Sequence, residues 1–177
     1  ATLPFTRFIA GAADYTICYY RQDFGRLNAD KDSYGVPRSK SIQTTPAHQL
    51  ALAAVYYSPL QYMYWYDKPS DSQDEPELKF FDDVYTTWDD TKVLQGEVGE
   101  FITIARRKGE EWFIGSITNN EKRVLSVSLD FLPEGKNYIA EIYTDGDKSV
   151  KTRTKVRVST YRVSNKTKLN FCLKASG

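Results

Sequence analysis

TWDDTKVLQGEVGEFITIARRKGEEWFIG, residues 87–115, is the stretch from which the rest of the chain can be read. Phe101-Ile102-Thr103-Ile104 and Trp112-Phe113-Ile114 are rich in β-branched and aromatic residues, which suit a pleated, half-buried surface. Arg107-Lys108-Gly109-Glu110 between them supplies a turn, so the segment predicts a β-hairpin. From Thr91 onward the pattern stays β. Leu125, Val127, Leu129 and Phe131 alternate with Ser126, Ser128 and Asp130; Tyr138, Ala140 and Ile142 repeat the scheme, as do Leu169, Phe171 and Leu173. Asn119-Asn120-Glu121, Pro133-Glu134-Gly135 and Asp145-Gly146-Asp147 mark turns. About seven strands at this spacing, with no helical pattern between them, predict an antiparallel β-sandwich over 91–177. Period-2 alternation turns Leu125, Val127, Leu129, Tyr138, Ile142, Leu169 and Phe171 inward.

The N-terminal third reads differently. Thr2 to Gly11 is strand-like, ending in a turn at Gly11-Ala12-Ala13, and residues 21–44, charged and broken by Gly25, Gly35 and Pro37, predict a long loop. Thr45 as N-cap and Pro46 at the first helical position then start a helix that stops near Ser58-Pro59. It is apolar almost all round, as a helix with protein on both sides must be. Residues 69–76 are a polar linker, and Glu75-Pro76 opens a short helix from Glu77 to Asp83. One strand, one loop and one buried helix over 1–68 have no sheet of their own to cover. A strand followed by a buried helix is the repeat of a (β/α) barrel or doubly wound sheet, so the expectation is the last β/α unit of a barrel whose other units precede Ala1.

Composition removes several classes. In 177 residues, 24 Lys and Arg stand against 23 Asp and Glu. Near balance gives no electrostatic reason to expect a nucleic acid or an anionic membrane as partner. No apolar run reaches the roughly 20 residues of a membrane span. Ala1-Thr2-Leu3-Pro4 shows neither a secretion leader nor an initiator Met, which suggests a processed or truncated start. Cys18 and Cys172 are too few for a disulfide scaffold, and each reads as a small buried or half-buried residue. No Cys or His cluster has zinc spacing, and the single histidine is His48.

Four segments carry a family likeness: Leu3-Pro4-Phe5-Thr6-Arg7 followed by Ala10-Gly11-Ala12-Ala13-Asp14-Tyr15-Thr16; His48-Gln49-Leu50-Ala51; Ser58-Pro59-Leu60-Gln61; and the hairpin of residues 87–115. Together they resemble glycoside hydrolase family 97, bacterial α-glucosidases and α-galactosidases, over nearly the whole chain. Gly11-Ala12-Ala13 stands where the family has Gly-Pro-Met, and Ile17-Cys18 where it has Pro-Gly. The resemblance implies an α+β fragment: the last β/α unit of a (β/α)8 barrel over 1–68, a linker with a short helix over 69–90, and a C-terminal antiparallel β-sandwich over 91–177. It implies a periplasmic, Ca²⁺-dependent enzyme acting on an oligosaccharide, with the remainder of its own barrel as partner. Its catalytic carboxylates and Ca²⁺ ligands map upstream, so this chain is expected to hold no catalytic residue and no metal ligand.

Each candidate residue has a plainer reading beside the functional one. Arg7, Asp14 and Tyr15, following a barrel strand, are candidates for the wall of the sugar pocket; Arg7 and Asp14 equally suit an ion pair that caps the turn. His48 on a barrel helix reads as a structural residue before a catalytic base. Tyr62, Tyr64, Trp65 and Tyr66 could stack on sugar rings or form an interface between barrel and sandwich, and the place of the run favours the interface. A retaining carboxylate pair stands about 5 Å apart and an inverting pair about 6.5–9.5 Å. Glu97, Glu100, Glu110 and Glu111 fall on hairpin edges and a turn, where they read as solvated charges. Asn165-Lys166-Thr167 matches a glycosylation sequon and reads as a turn. A carbohydrate-binding module and a purely structural sandwich remain alternatives. The first needs exposed coplanar aromatics, whereas Trp88 and Trp112 fall where junction packing covers them.

Overall fold

A computed structural model describes residues 1–19, 44–65 and 75–177. Most of the loop expected over 21–44 and of the linker over 69–76 lies outside these residues, as do Tyr66 and Asp67 and the side chains of Cys18, Tyr64 and Trp65. Strand β1 (Tyr15–Tyr19) and strand β2 (Gln61–Trp65) pair in parallel, with helix α1 (Pro46–Val55) on the connection between them. A parallel pair needs such a crossover, because a tight turn can only return the chain antiparallel. Pro76–Leu78 form a 3-10 turn that leads into the short helix α2 (Lys79–Asp83), close to the expected helix over 77–83.

Seven antiparallel strands follow, as the alternation requires: β3 (Asp90–Glu97), β4 (Phe101–Lys108), β5 (Glu111–Thr118), β6 (Arg123–Ser128), β7 (Asn137–Asp145), β8 (Val156–Ser164) and β9 (Lys168–Leu173). They pair as β3-β4-β5, β6-β9 and β7-β8. Ile102, Ile104 and Ile117 lie on one face of the β3-β4-β5 sheet and pack with Leu52, Val55 and Tyr56 of the α1 segment. The opposite face brings Trp112 against Phe131 and into a second core with Val127, Leu129, Leu132 and Val163. This sheet is therefore the middle layer, with α1 on one side and the remaining strands on the other. Val127 and Leu129 are fully buried, and Leu125, Tyr138, Ile142, Leu169 and Phe171 are half-buried, so every residue expected inward is at least partly covered.

Three expectations need correction. Thr2–Gly11 holds no strand: Leu3–Phe5 is a 3-10 turn, with Phe5 N–H donating to the Thr2 carbonyl and Phe8 N–H to the Leu3 carbonyl. Pro4 has no N–H for a ladder and a φ suited to the start of a helical turn. The spacing of three between Phe5 and Phe8 puts both rings on the α1 core, Phe8 stacking on Tyr56 at 4.6 Å. The strand instead begins at Tyr15. Cys172 is exposed, not buried, because it points to the outer face of β9 opposite Val124. Tyr62 and Met63 are exposed and do not form the interface, since the only strand beside β2 among the described residues is β1 and both faces of β2 remain open at this point.

Candidate functional site

The densest polar chemistry lies where α1 meets the sandwich. A helix leaves its first N–H groups and last four carbonyls without intrahelical partners, and a buried helix must find partners for them elsewhere. At the C-terminal end, the Leu52 carbonyl accepts from Tyr56 N–H at 2.9 Å and the Ala53 carbonyl from Gln61 Nε2 at 3.1 Å. Arg106, on β4 and only 5 % exposed, completes the set. Its Nε donates to the Ala54 carbonyl at 2.5 Å, Nη2 to the Val55 carbonyl at 3.2 Å and Nη1 to Thr91 Oγ1 at 2.9 Å. The guanidinium also lies 5.5 Å from the centre of the Tyr57 ring. Burial pulls its pKa below the ordinary arginine value, with the Tyr57 charge opposing.

The N-terminal end is finished by its own N-cap and faces a different strand of the sandwich. Pro46 has no N–H, His48 N–H donates to the Thr45 hydroxyl at 3.2 Å and Gln49 N–H to the Thr45 carbonyl at 3.2 Å. Asp145, the last residue of β7, lies beside the Ala47 backbone and the Thr45 side chain. Burial raises the Asp145 pKa, while Thr45, Lys174 and Ala47 oppose it. The carboxylate thus sits at the positive end of the helix dipole and the guanidinium at the negative end, the favourable sense at both.

Close approach along the helix depends on Gly115 of β5. A Cβ there would stand 2.7 Å from the Ala51 carbonyl oxygen and 2.8 Å from Val55 Cγ2. His48 belongs to the same junction. It is 9 % exposed, its backbone starts the helix, and burial lowers its pKa while a bond to the Gly177 backbone opposes that shift. Its Nδ1 has no hydrogen-bond partner among the described residues. An open cleft of about 340 Å³ follows the C-terminal end of α1, lined by Tyr57, Trp88, Asp89, Asp90, Thr91 and Arg106. Asp89 is committed to the β4–β5 turn, accepting from Lys108 Nζ at 2.9 Å and Gly109 N–H at 2.8 Å.

Arg7 donates to the carbonyls of Gly11 and Ala12, each at 3.2 Å, which holds the turn before β1. Asp14 is exposed just before β1, and Tyr15 is the first residue of the strand, edge-on to Tyr56 at 4.9 Å. Both therefore stand at the N-terminal end of a parallel strand, not after one as the sequence pattern suggests. The glutamates are surface charges: Glu100 pairs with Arg123 at 2.6 Å, Glu110 with Lys136, and Glu111 accepts from the Tyr85 hydroxyl at 2.9 Å, while Glu97 is exposed. Among the described residues no three His, Cys, Asp or Glu side chains converge on a point that could hold a metal ion. No helix among them is long and apolar enough to cross a membrane. The roles of Arg106, Asp145 and Gly115 are not legible in the sequence. The one signal is an arginine in phase with Ile102 and Ile104 on a face that is otherwise apolar.

Residues 87–177 match the family model described as Glycosyl-hydrolase 97 C-terminal, oligomerisation. The chain is 34 % identical over 177 residues to a retaining alpha-galactosidase of Bacteroides thetaiotaomicron, covering 99 % of this chain and 25 % of that protein. It superposes on a Glycoside Hydrolase Family 97 enzyme in complex with acarbose, from Pseudoalteromonas sp. strain K8, with a TM-score of 0.79 and 32 % identity, over 99 % of this chain and 27 % of that one. A beta-arabinopyranosidase shares the fold, with a TM-score of 0.72 at 24 % identity over 99 % of this chain and 26 % of that one. The chain thus spans about a quarter of the length of these relatives, and it belongs to glycoside hydrolase family 97, as a C-terminal portion of that family's proteins.

Proposed function

We propose that this chain is the C-terminal part of a Ca²⁺-dependent, periplasmic α-glycosidase that hydrolyses α-galactosides or α-glucosides. In that enzyme β1, α1 and β2 complete the catalytic barrel, the sandwich holds the completing helix in place, and the sandwich also joins subunits. The observation that carries the reading is the double clamp on α1. Arg106 on β4 terminates one end of the helix of a parallel β/α/β unit, Asp145 on β7 lies at its other end, and Gly115 lets the helix and the sandwich meet at backbone distance. A freestanding sandwich has no need to finish another element's helix. Among the described residues β2 has a strand on one edge only, which favours further barrel strands beside it. Hydrolysis needs two carboxyl groups acting on one bond, whereas Glu97, Glu100, Glu110 and Glu111 are surface charges, three of them tied to surface partners. The acid, the nucleophile and the Ca²⁺ ligands are therefore assigned to the preceding barrel segments.

A carbohydrate-binding module is disfavoured by aromatic placement. Trp88 and Trp112 are half-buried and tilted against Phe113 and Phe131 by 58° and 59°, not exposed and coplanar. The test is nitrophenol release from the α-galactoside and the α-glucoside by the 177-residue chain and by the whole enzyme, each with and without chelator. The chain alone is expected to be inactive, and the whole enzyme active and sensitive to chelation. Turnover that follows the purified chain itself would refute this assignment.

A further inference from the structure

The family model's description names oligomerisation, but it does not say which surface of the sandwich meets another copy. Strand edges decide this, because an open edge presents unpaired N–H and C=O groups to any second chain, and proteins that must avoid such pairing blunt their edges. β3 is blunted. Its ladder with β4 breaks at a bulge between Val93 and Gln95, and Asp90, Lys92 and Glu97 lie along it. β6 and β9 are short, six residues each. The β7–β8 ribbon is not blunted in these ways: nine residues of each strand pair without any register break, from Asn137 opposite Ser164 to Asp145 opposite Val156, and neither strand holds Pro, Gly or Lys, but α1 lies against β7.

Exposure shows which side of the β7–β8 ribbon is open. Along β7 the first five residues alternate between exposed and half-buried, as one covered face requires. On β8 three consecutive residues, Thr160, Tyr161 and Arg162, are exposed, so both faces are uncovered there. Among the described residues β8 has only β7 as a strand partner; its two ends are packed, Val156 with Leu50 and Val163 with Val127, Leu129 and Leu132, and the run between them is open. Tyr161, 55 % exposed, is the centre of the open run, and Ile139, opposite Arg162, adds a second exposed apolar side chain at 63 %.

We propose that the outer edge of β8, centred on Tyr161, is where a second copy of this chain adds, strand against antiparallel strand across a twofold axis. This rests on the association reading above and names its surface. An isologous contact places each residue against its symmetric counterpart. With the axis at Tyr161, the Tyr161 ring meets Tyr161 of the partner subunit, Arg162 faces Thr160 of the partner subunit, and Ser159 faces Val163 of the partner subunit. Arg162 is thereby kept from standing opposite a like charge, which would oppose pairing. The product is a four-stranded ribbon, β7-β8 continued by β8 and β7 of the second copy.

Sedimentation equilibrium of the purified protein tests this, with Tyr161→Arg, Thr160→Arg and, on the outer face of β6, Ser126→Arg as variants. All three positions are exposed, and unchanged thermal unfolding of each variant checks the fold. The wild type and Ser126→Arg are expected to dimerise alike. Tyr161→Arg and Thr160→Arg are expected to raise the dimer dissociation constant by about tenfold or more, through opposed like charges. A wild-type dimer that folded Tyr161→Arg and Thr160→Arg leave intact, or that Ser126→Arg dissolves, overturns the β8 edge while the association reading stands. A wild type that stays monomeric overturns the association reading, and this surface with it.

Discussion

Arg106 carries three contacts to two different elements from a position only 5 % exposed, and no apolar residue could replace them. Arg106→Met should leave the Ala54 and Val55 carbonyls buried without donors, at about 2 kcal/mol or more. Arg106→Lys keeps the charge but not the planar fork, so urea unfolding should place it between the two. Gly115→Ala should cost about 1–3 kcal/mol through overpacking, because the atom its methyl meets is helix backbone and cannot swing away; a loss well below that would mean the helix shifts freely. His48 adds a pH dependence. Burial holds its pKa below 6.5 in the folded chain, so just below pH 6.5 the unfolded chain binds more protons and stability falls as pH falls. Asp145 works the other way at lower pH: raised above 3.8, it takes up its proton first in the folded state, which favours that state on acidification. His48→Gln should remove the loss just below pH 6.5 and leave the acid limb, as read by unfolding midpoints across a pH series.

At the scale of elements, the β4–β5 hairpin shows how a turn is made secure. Lys108 and Glu111 close the ladder, so Gly109 and Glu110 form a two-residue loop, and Gly109 takes a φ of 56° that a side chain would resist. Asp89 reaches over from the residue before β3 and accepts the Gly109 N–H and the Lys108 ammonium. The Gly109 bond first, and then Lys108, hold the Asp89 carboxyl below its ordinary value, so this tie persists above pH 3.8 and is lost as the pH falls through the lowered value. Asp89→Ala should speed amide exchange at Gly109 near neutral pH while Ile102 and Ile104 stay protected. Exchange spreading along the whole hairpin would show that the tie holds register and not only the tip. The same layer logic explains α1: eight of its ten residues are buried, which no amphipathic surface helix tolerates.

For the whole molecule, the junction predicts joint unfolding. Leu52, Val55, Tyr56, Ile102, Ile104 and Ile117 form one core across α1 and the sandwich, and the polar clamps at both helix ends belong to the same contact. Loss of far-UV helix signal and of tryptophan fluorescence should therefore coincide in a denaturant titration. An earlier helix transition would mean that the β1–α1–β2 unit does not share one cooperative core with the sandwich.

Patterns that depend on near neighbours were legible in the chain itself. Strand alternation has a period of two, so the inward set from Leu125 to Phe171 followed from spacing alone. Thr45-Pro46 announces a helix start with its own side chain and ring, and α1 begins there. A local pattern also misled: Leu3 and Phe5 alternate like a strand, while Pro4 and the spacing of Phe5 to Phe8 set a 3-10 turn. Tertiary structure alone decided what Arg106, Asp145 and Gly115 are for. Arg106 meets the Ala54 carbonyl across 52 residues of sequence, and Asp145 meets Ala47 across a still longer stretch. Backbone carbonyls and N–H groups exist at every residue, so no sequence signal marks which of them a distant side chain will satisfy. The requirement that a buried helix end be satisfied is general; which side chain meets it depends on how the sandwich closes over the helix, and that closure is set by packing of the two cores.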